Sequence, residues 1–318
     1  MTESLWYILL GIHLLIAFGL TFYGVHQVAM VVLSWRVWPR RKAEHLSEQK
    51  SELDRRAWPK VTVQLPLYNE RFVAQRSIAA ACALDYPREL LQIQVLDDSD
   101  DDTVTIVDEA VAEAKRSGHV VEVVRRSNRV GFKAGALAAA MPTVTGEFIA
   151  IFDADFVPEP DFIRRMVVQN GAFADPQIGF LQGRWGHFNR DESLLTRAQG
   201  AMHDGHFLIE QVARSSSGLW FNFNGSGGVW RRACIEDAGG WQTDTLTEDL
   251  DLSYRAWSRG WRGAYTPWVV APGELPVTLS AFRRQQFRWR QINKGKHYVK
   301  SAGREVRFRQ LKNWRDRS

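Results

Sequence analysis

The fold class of this chain is decided by Glu147-Phe148-Ile149-Ala150-Ile151-Phe152-Asp153-Ala154-Asp155-Phe156. Its first six residues are almost all apolar and include β-branched and aromatic side chains. A short run of that kind between helix-like segments predicts a strand buried on both faces of a parallel sheet. Two carboxylates follow at the carboxyl end of this strand, where ligands bind in open α/β sheets.

The two carboxylates predict a site for a divalent cation. Alternation along an extended segment points Asp153 and Asp155 in the same direction, so both can reach one hard cation. Such oxygen ligands suit Mg²⁺ or Mn²⁺ carrying the phosphates of a substrate. A solvated strand end is the alternative, because aspartate is common in loops. An Asp-x-Asp pair alone does not decide between the two, so the other motifs must.

Residues 60–156 alternate strand and helix patterns four times. Strands are predicted at 61–65, 91–96 and 120–124, ahead of the strand at 147–152, with helical patterns at about 70–84, up to about 116, and from 131 onward. This alternation predicts an α/β fold with a doubly wound, Rossmann-like parallel sheet.

Polar residues near the strand ends are candidates for binding a nucleotide. Asp97 and Asp98 end the second strand at the same sheet edge as Asp153. They either accept hydrogen bonds from a base or ribose, or cap the next helix. Lys133 lies at a helix start, in a segment that matches neither common glycine-rich phosphate motif. It either meets a phosphate or ribose or is a solvated lysine.

The second half of the chain carries two further motifs. Thr247 can cap a helix to about residue 257, which places Asp249 at the helix N-terminus. Asp249 then either faces a cleft or is an acid favoured there by the helix dipole.

Gln285 and Arg288 share one helix face with Trp289 beside them. These three suit a diphosphate and a sugar ring, and a membrane-surface helix is the alternative. A glycine- and serine-rich run at 225–228 permits close approach of the backbone to a ligand.

The N-terminus predicts a membrane span. Residues 5–35 contain no Lys, Arg, Asp or Glu, and about 30 residues make roughly 45 Å of helix, more than a bilayer core requires. A cleaved signal peptide is the competing interpretation, but the positive n-region and the small-residue cleavage pattern are missing. Arg36, Arg40, Arg41 and Lys42 follow, so the positive-inside rule predicts that the C-terminal side of the span, and with it most of the chain, faces the cytoplasm.

Charge is distributed unevenly along the 318 residues. Residues 281–318 contain thirteen Lys and Arg against two acids, a net charge of +11, so a total of +5 leaves −6 for the first 280 residues. A basic tail beside a membrane span predicts binding to lipid headgroups and not to nucleic acid. The two cysteines, Cys82 and Cys234, form no disulfide framework, which fits a reducing compartment.

Four motifs occur in order: Asp97-Asp98, Asp153-x-Asp155, Thr247-Glu248-Asp249 and Gln285-x-x-Arg288-Trp289. Together they resemble the signature of the inverting, membrane-embedded family 2 glycosyltransferases that include cellulose synthase. The resemblance covers roughly residues 60–289, and details such as Phe223-Asn-Gly-Ser and Ala238-Gly-Gly-Trp are most similar to the mannan and glucomannan synthase-like branch.

The resemblance implies a GT-A-type fold and inverting transfer of a hexose from a UDP- or GDP-hexose to the end of a β-linked polysaccharide. A non-processive enzyme that makes a membrane glycolipid is the alternative, and a non-catalytic binding subunit is a third. The implied roles are nucleotide binding for Tyr68, Glu70, Asp97, Asp98, Lys133 and Asp153; cation binding for Asp153 and Asp155; general base for Asp249; and diphosphate or acceptor contact for Glu248, Gln285, Arg288 and Trp289.

The expected organisation has four parts: a transmembrane helix at 1–35, a juxtamembrane connector at 36–59, a cytoplasmic GT-A domain at 60–275, and the Gln-x-x-Arg-Trp motif with a basic interfacial segment at 276–318. A bacterial inner membrane or a plasma membrane is the expected location. Family synthases continue with further membrane helices after this motif, so export of a polymer is expected to require partner membrane subunits or a missing C-terminal portion.

Overall fold

The computed structural model describes residues 3–48, 58–244, 247–292, 298–301 and 304–307. Strands are β1 (Val61–Leu67), β2 (Leu91–Asp97), β3 (Val120–Val124), β4 (Phe148–Ile151), β5 (Ile178–His187), β6 (Gly228–Arg231), β7 (Arg262–Gly273), β8 (Tyr298–Ser301) and β9 (Arg304–Arg307). Helices are α1 (Glu3–Glu48), α2 (Ala74–Cys82), α3 (Thr103–Arg116), α4 (Phe132–Ala140), α5 (Phe162–Arg164), α6 (Leu194–Asp204), α7 (Gln211–Ser216), α8 (Arg232–Asp237), α9 (Glu248–Ser258) and α10 (Leu279–Ile292).

A seven-stranded sheet with the order β3-β2-β1-β4-β6-β5-β7 lies at the centre of the fold. The strands β1 to β4 are parallel, as the alternating pattern predicts. The second half of the chain adds β6, which runs antiparallel to both β4 and β5, a direction that the alternation over residues 60–156 does not predict. The sheet is therefore mixed, and the loop that enters β6 lies at the same edge as the carboxyl end of β4.

The strand β4 is buried on both faces, which confirms the prediction from its sequence. Phe148 and Ala150 pack into one hydrophobic core with α2 and α3. Ile149 and Ile151 pack into a second core with α4, α8 and α9. Helices thus cover both faces of the sheet, as in doubly wound folds.

The helix α1 is long and apolar enough over Leu5–Lys42 to cross a membrane. It continues to Glu48 through the first part of the predicted connector. Its C-terminal half contacts the rest of the chain. Ser34 donates to the carbonyl oxygen of Leu208 at 3.1 Å, Arg41 Nε donates to Ser216 Oγ at 3.0 Å, and the rings of Trp38 and Trp268 lie 5.1 Å apart.

The predicted C-terminal segment, 276–318, is described in part. It contains α10 and an antiparallel hairpin of β8 and β9. Residues 293–297, 302–303 and 308–318, which carry part of the predicted basic interfacial segment, lie outside the described residues.

Candidate active site

The carboxyl ends of β1, β2 and β4 open into a cleft of about 880 Å³. Because β6 is antiparallel, the loop at 224–227 reaches this edge as well and contributes to the cleft wall. The cleft brings together most of the residues singled out by sequence. Its lining includes Tyr68, Glu70, Asp98, Lys133, Asp153, Asp155, Glu248, Asp249 and Gln285.

Lys133 lies at the centre of the acidic groups. Its Nζ atom donates to Asp153 Oδ1 at 2.5 Å and to the carbonyl oxygen of Gly225 at 2.9 Å, and Glu248 Oε1 lies 3.6 Å away. Burial opposes the charged form, but the carboxylates of Asp153 and Glu248 outweigh it and raise the pKa of Lys133. The alternative of a solvated lysine is therefore excluded, since this lysine is a fixed cation inside the cleft.

Asp153 and Asp155 have the donor chemistry of a divalent cation site. Burial, followed by the nearby charges of Asp153 and Glu70, raises the pKa of Asp155 to about 7. Clustered carboxylates that resist ionisation gain from a bound cation. Within the described residues, no group of three or more His, Cys, Asp or Glu side chains could hold a metal ion. Asp153 and Asp155 alone would fill only part of a coordination sphere. Their carboxylates suit a hard cation that takes its other ligands from substrate phosphates and water.

Asp249 is the second residue of α9 and lines the cleft. Its Oδ1 atom accepts from the backbone N–H of Leu250 at 2.8 Å. Burial and the neighbouring charge of Glu248 raise the pKa of Asp249 to about 7, against the opposing effect of Lys133. A carboxylate with a pKa in this range can accept a proton near neutral pH.

The predicted cap of α9 is wrong in one respect. Thr247 occupies the N-cap position, but among the described residues its side chain makes no capping hydrogen bond. Instead, Ser253 Oγ donates to the carbonyl oxygen of Asp249 at 2.5 Å and accepts from the N–H of Phe223 at 2.9 Å. This serine joins the start of α9 to the segment that leads into the loop at 224–227.

The two neighbouring acids at the end of β2 have different surroundings. Asp98 lines the cleft, and its carboxylate forms an ion pair with Arg126, whose Nε donates at 2.9 Å. Asp97 is outside the cleft lining, with a fully buried side chain that accepts from Arg125 Nε at 2.9 Å and from the N–H of Ser99 at 3.1 Å. Its position therefore supports a role in holding the strand end, not in nucleotide binding.

Tyr68 also lines the cleft, on the side of Asp98. The guanidinium of Arg129 lies over its ring, 3.1 Å from the centroid. This cation–π contact fixes an aromatic surface at the cleft edge, where a nucleobase or a sugar can stack. Sequence reasoning had not singled out Arg129, because arginines are frequent in the segment around it.

The Gln-x-x-Arg-Trp motif lies on α10. Gln285 lines the cleft. Arg288 and Trp289 belong to the same helix, and their side chains fall outside what the structure describes.

A further part of the wall comes from residues without a sequence signal of their own. His206 contacts Glu210 through Nδ1 and Asn224 through Nε2, both at 3.2 Å. His203 Nδ1 lies 2.8 Å from His187 Nε2, and burial lowers the pKa of both rings to about 4, so they are neutral at pH 7. Of this wall, only the glycine-rich run beside Asn224 could be recognised in the sequence, as a place of close backbone approach.

Comparison with known proteins agrees with this fold. The profile of the family described as Glycosyltransferase like family 2 matches residues 59–291. A probable glucomannan 4-beta-mannosyltransferase 7 of Oryza sativa subsp. japonica is 43% identical over 273 residues, which are 85% of this chain and 46% of that protein. The glucomannan 4-beta-mannosyltransferase 2 of Arabidopsis thaliana is 43% identical over 266 residues, 82% of this chain and 49% of that protein. The chain thus spans about half the length of these relatives.

A solved structure has the same fold. The mannosyltransferase PcManGT from Pyrobaculum calidifontis, in complex with GDP-Man and Mn²⁺, superposes with a TM-score of 0.61 at 24% identity and covers 84% of this chain and 74% of its own. The cleft therefore lies in a fold shared with a glycosyltransferase, and the profile match extends over most of the chain. This chain belongs to the glycosyltransferase-like family 2.

Proposed function

We propose that this chain is an inverting glycosyltransferase that moves a mannosyl group from GDP-mannose to the end of a β-1,4-linked mannan or glucomannan. The observation that carries the proposal is the placement of Asp249 in one cleft with Lys133 and the Asp153–Asp155 pair. The names of its relatives support the mannosyl group, the β-1,4 linkage and the glucomannan acceptor. The GDP-Man and Mn²⁺ bound to the similar archaeal structure support the donor and the kind of cation.

The proposed reaction is a single displacement. Asp249 removes the proton from an acceptor hydroxyl while that oxygen attacks the anomeric carbon of the donor. The bond between this carbon and the phosphate oxygen breaks, and the nucleoside diphosphate leaves with inversion at the carbon. A sugar hydroxyl is a poor nucleophile, so a positioned base is required in the transition state.

The reaction also requires stabilisation of the negative charge on the leaving diphosphate. Asp153 and Asp155 would hold a Mg²⁺ or Mn²⁺ ion, which neutralises the charge on the phosphate oxygens when bound. Lys133, fixed by Asp153 and Gly225, adds a permanent positive charge in the same part of the cleft. Tyr68 and Asp98 line the part of the cleft proposed for the nucleoside.

The membrane is the proposed location. α1 would span it, with the domain at 60–275 on the cytoplasmic side and the basic residues of 276–318 against anionic headgroups. Residues 36–59 would connect the two parts, the first of them as a continuation of α1. Export of the product would require further membrane helices, either from partner subunits or from a C-terminal continuation of this chain.

Donor and acceptor can be identified together in one experiment. Membranes containing this chain are incubated with a panel of labelled nucleotide sugars, including GDP-mannose, GDP-glucose, UDP-glucose and UDP-N-acetylglucosamine, with Mn²⁺ and a manno-oligosaccharide. We expect label from GDP-mannose to enter products that a β-mannanase digests. Label that appears only in organic-soluble lipid would favour the glycolipid alternative, and membranes containing the D249N variant serve as the control.

The rate of transfer is expected to fall on the acid side of neutrality. The base must be ionised to accept a proton, and the pKa of Asp249 is raised to about 7. The rate constant kcat should therefore reach its plateau above about pH 8 and fall about tenfold for each unit below about pH 6. The measurement is kcat between about pH 5 and about pH 9 with saturating donor and cation, with the Tm at each pH to exclude unfolding. A rate that stays constant down to about pH 5 would contradict the assignment.

A further inference from the structure

The loop at 224–227 contacts three of the groups assigned to the reaction. The carbonyl oxygen of Gly225 accepts from Lys133 Nζ at 2.9 Å. Ser226 Oγ accepts from the backbone N–H of Asp153 at 3.0 Å. A Cβ atom at Gly225 would lie 3.2 Å from Asp249 Oδ2, so the backbone of the loop packs directly against the proposed base. The shape of this loop therefore sets the distances among Lys133, Asp153 and Asp249.

The loop has an unusual backbone conformation. Gly225 has a φ of 77° and Gly227 a φ of 68°, values in the left-handed region that favours glycine. Glycine also has the largest conformational freedom to lose on folding, so this shape requires contacts that hold it.

Gln182, on β5, supplies those contacts from behind the cleft wall. Its side chain is fully buried. The Nε2 atom donates to the carbonyl oxygens of Ser226 and Gly227, each at 3.0 Å, and the Oε1 atom accepts from the N–H of Asn224 at 2.9 Å. A neutral side-chain amide is suited to this position because it offers donors and an acceptor together.

We propose that Gln182 is a positioning residue for glycosyl transfer, which fixes the loop at 224–227 so that Lys133, Asp153 and Asp249 hold one geometry. The inference rests on the proposed function and adds a residue to it. Gln182 is not part of the described cleft lining, so it acts through the loop and not through contact with substrate. Small displacements of reacting groups are costly, and a shift of about 1 Å can lower a rate by about 100-fold.

Gln199 provides a matched control on α6. It is also buried, and its Nε2 atom donates to two backbone carbonyl oxygens, those of Leu195 at 3.2 Å and Pro276 at 2.9 Å. It lies outside the described cleft lining and does not contact the loop at 224–227 through any of these bonds. Leucine at either position removes the amide and keeps a similar volume. In Q182L the N–H of Asn224 loses its acceptor. The carbonyl oxygens of Ser226 and Gly227 lose one donor each and keep Trp185 Nε1 and the N–H of Gly183, both at 2.9 Å. Both changes should lower the Tm, but only Q182L should change the loop.

The experiment compares wild type, Q182L and Q199L as full chains in detergent micelles. Two measurements are made: hydrogen–deuterium exchange of the peptide covering 222–228, and kinetics with GDP-mannose, Mn²⁺ and a manno-oligosaccharide. For Q182L we expect faster exchange in this peptide and a kcat lower by about 10- to 100-fold, with the Kd for GDP within about threefold. Q199L should match wild type in exchange of this peptide and stay within about twofold in kcat.

Q182E is a second variant that keeps the packing of the site. A carboxylate retains an acceptor for the N–H of Asn224 but places negative oxygens beside the carbonyl groups of Ser226 and Gly227. We expect the same increase in exchange and the same loss of kcat as in Q182L. Equal exchange and equal kcat in Q182L and Q199L would overturn the inference. Absence of any transfer by the wild-type chain would overturn the proposed function, while the exchange comparison would still decide whether Gln182 holds the loop.

Discussion

Replacing Asp249 with asparagine is expected to lower kcat by on the order of 10³-fold while leaving the Kd for GDP-mannose within a few-fold. The amide cannot accept the proton of the acceptor hydroxyl, and this proton has to leave as the new glycosidic bond forms. Donor binding is expected to survive because the donor is proposed to bind along Tyr68, Asp98 and the Asp153–Asp155 pair. Both quantities are measured on one preparation, by transfer kinetics and by calorimetric titration.

The control for D249N addresses the competing explanation of this acid. A carboxylate at a helix N-terminus interacts favourably with the helix dipole and needs no catalytic role to be there. Asp102 occupies the N-cap position of α3 and lies outside the described cleft lining. D102N should therefore keep kcat within about twofold of wild type, with a change in stability of about 1 kcal/mol or less. If D249N behaves like D102N, Asp249 is a helix-end acid and the proposed mechanism is wrong.

The alternation of strands and helices in the first half of the chain could be read from its sequence. The strand β4 is an apolar run that is buried on both faces. Its residues are apolar at successive positions because alternate side chains pack into the two hydrophobic cores. The position of Asp153 and Asp155 at the carboxyl end of a parallel strand then followed from a general property of α/β sheets. These inferences use only the local sequence pattern and the usual position of ligands at the carboxyl ends of parallel strands.

The antiparallel strand β6 could not be read in the same way. Its direction depends on long-range pairing with β4 and β5, and the four residues of the strand carry no directional signal. The 224–227 loop reaches the site because of that direction. The sequence analysis therefore predicted close approach of its backbone to a ligand, but not its contacts with Lys133 and Asp249. The role of Gln182 was missed for the same reason. The role of an isolated glutamine in an apolar strand can be recognised only when its hydrogen-bond partners are known.

Which of two adjacent acids faces a cleft is also decided beyond the local sequence. Asp97 is the last residue of β2, paired in register with Leu67, and its side chain is directed to Arg125. Asp98 follows it, and successive side chains of an extended segment point in opposite directions. The sequence analysis assigned both acids the same role, because their separation into a buried ion pair and a cleft residue depends on where the strand ends.

The second large effect is expected from the cation site. Binding of GDP in the presence of Mn²⁺ should weaken at least tenfold, or about 1.4 kcal/mol, in both D153A and D155A. Each change removes one of the two carboxylates that would hold the ion on the diphosphate. D155A is the cleaner test, because D153A also removes the carboxylate that accepts from Lys133 and so alters a second positive charge near the phosphates.

The measurement that separates a cation site from a general loss of structure is GDP titration with and without Mn²⁺. Wild type should bind GDP more tightly with Mn²⁺ than in excess chelator, and D155A should bind it equally in both. D161A is the matched control, because Asp161 lies at the start of α5, pairs with Arg165 at 3.6 Å and is outside the described cleft lining. It should keep the full dependence on Mn²⁺. Wild-type GDP binding and sugar transfer that are unchanged in excess chelator would show that Asp153 and Asp155 hold no cation, and Lys133 would then be the charge that faces the diphosphate.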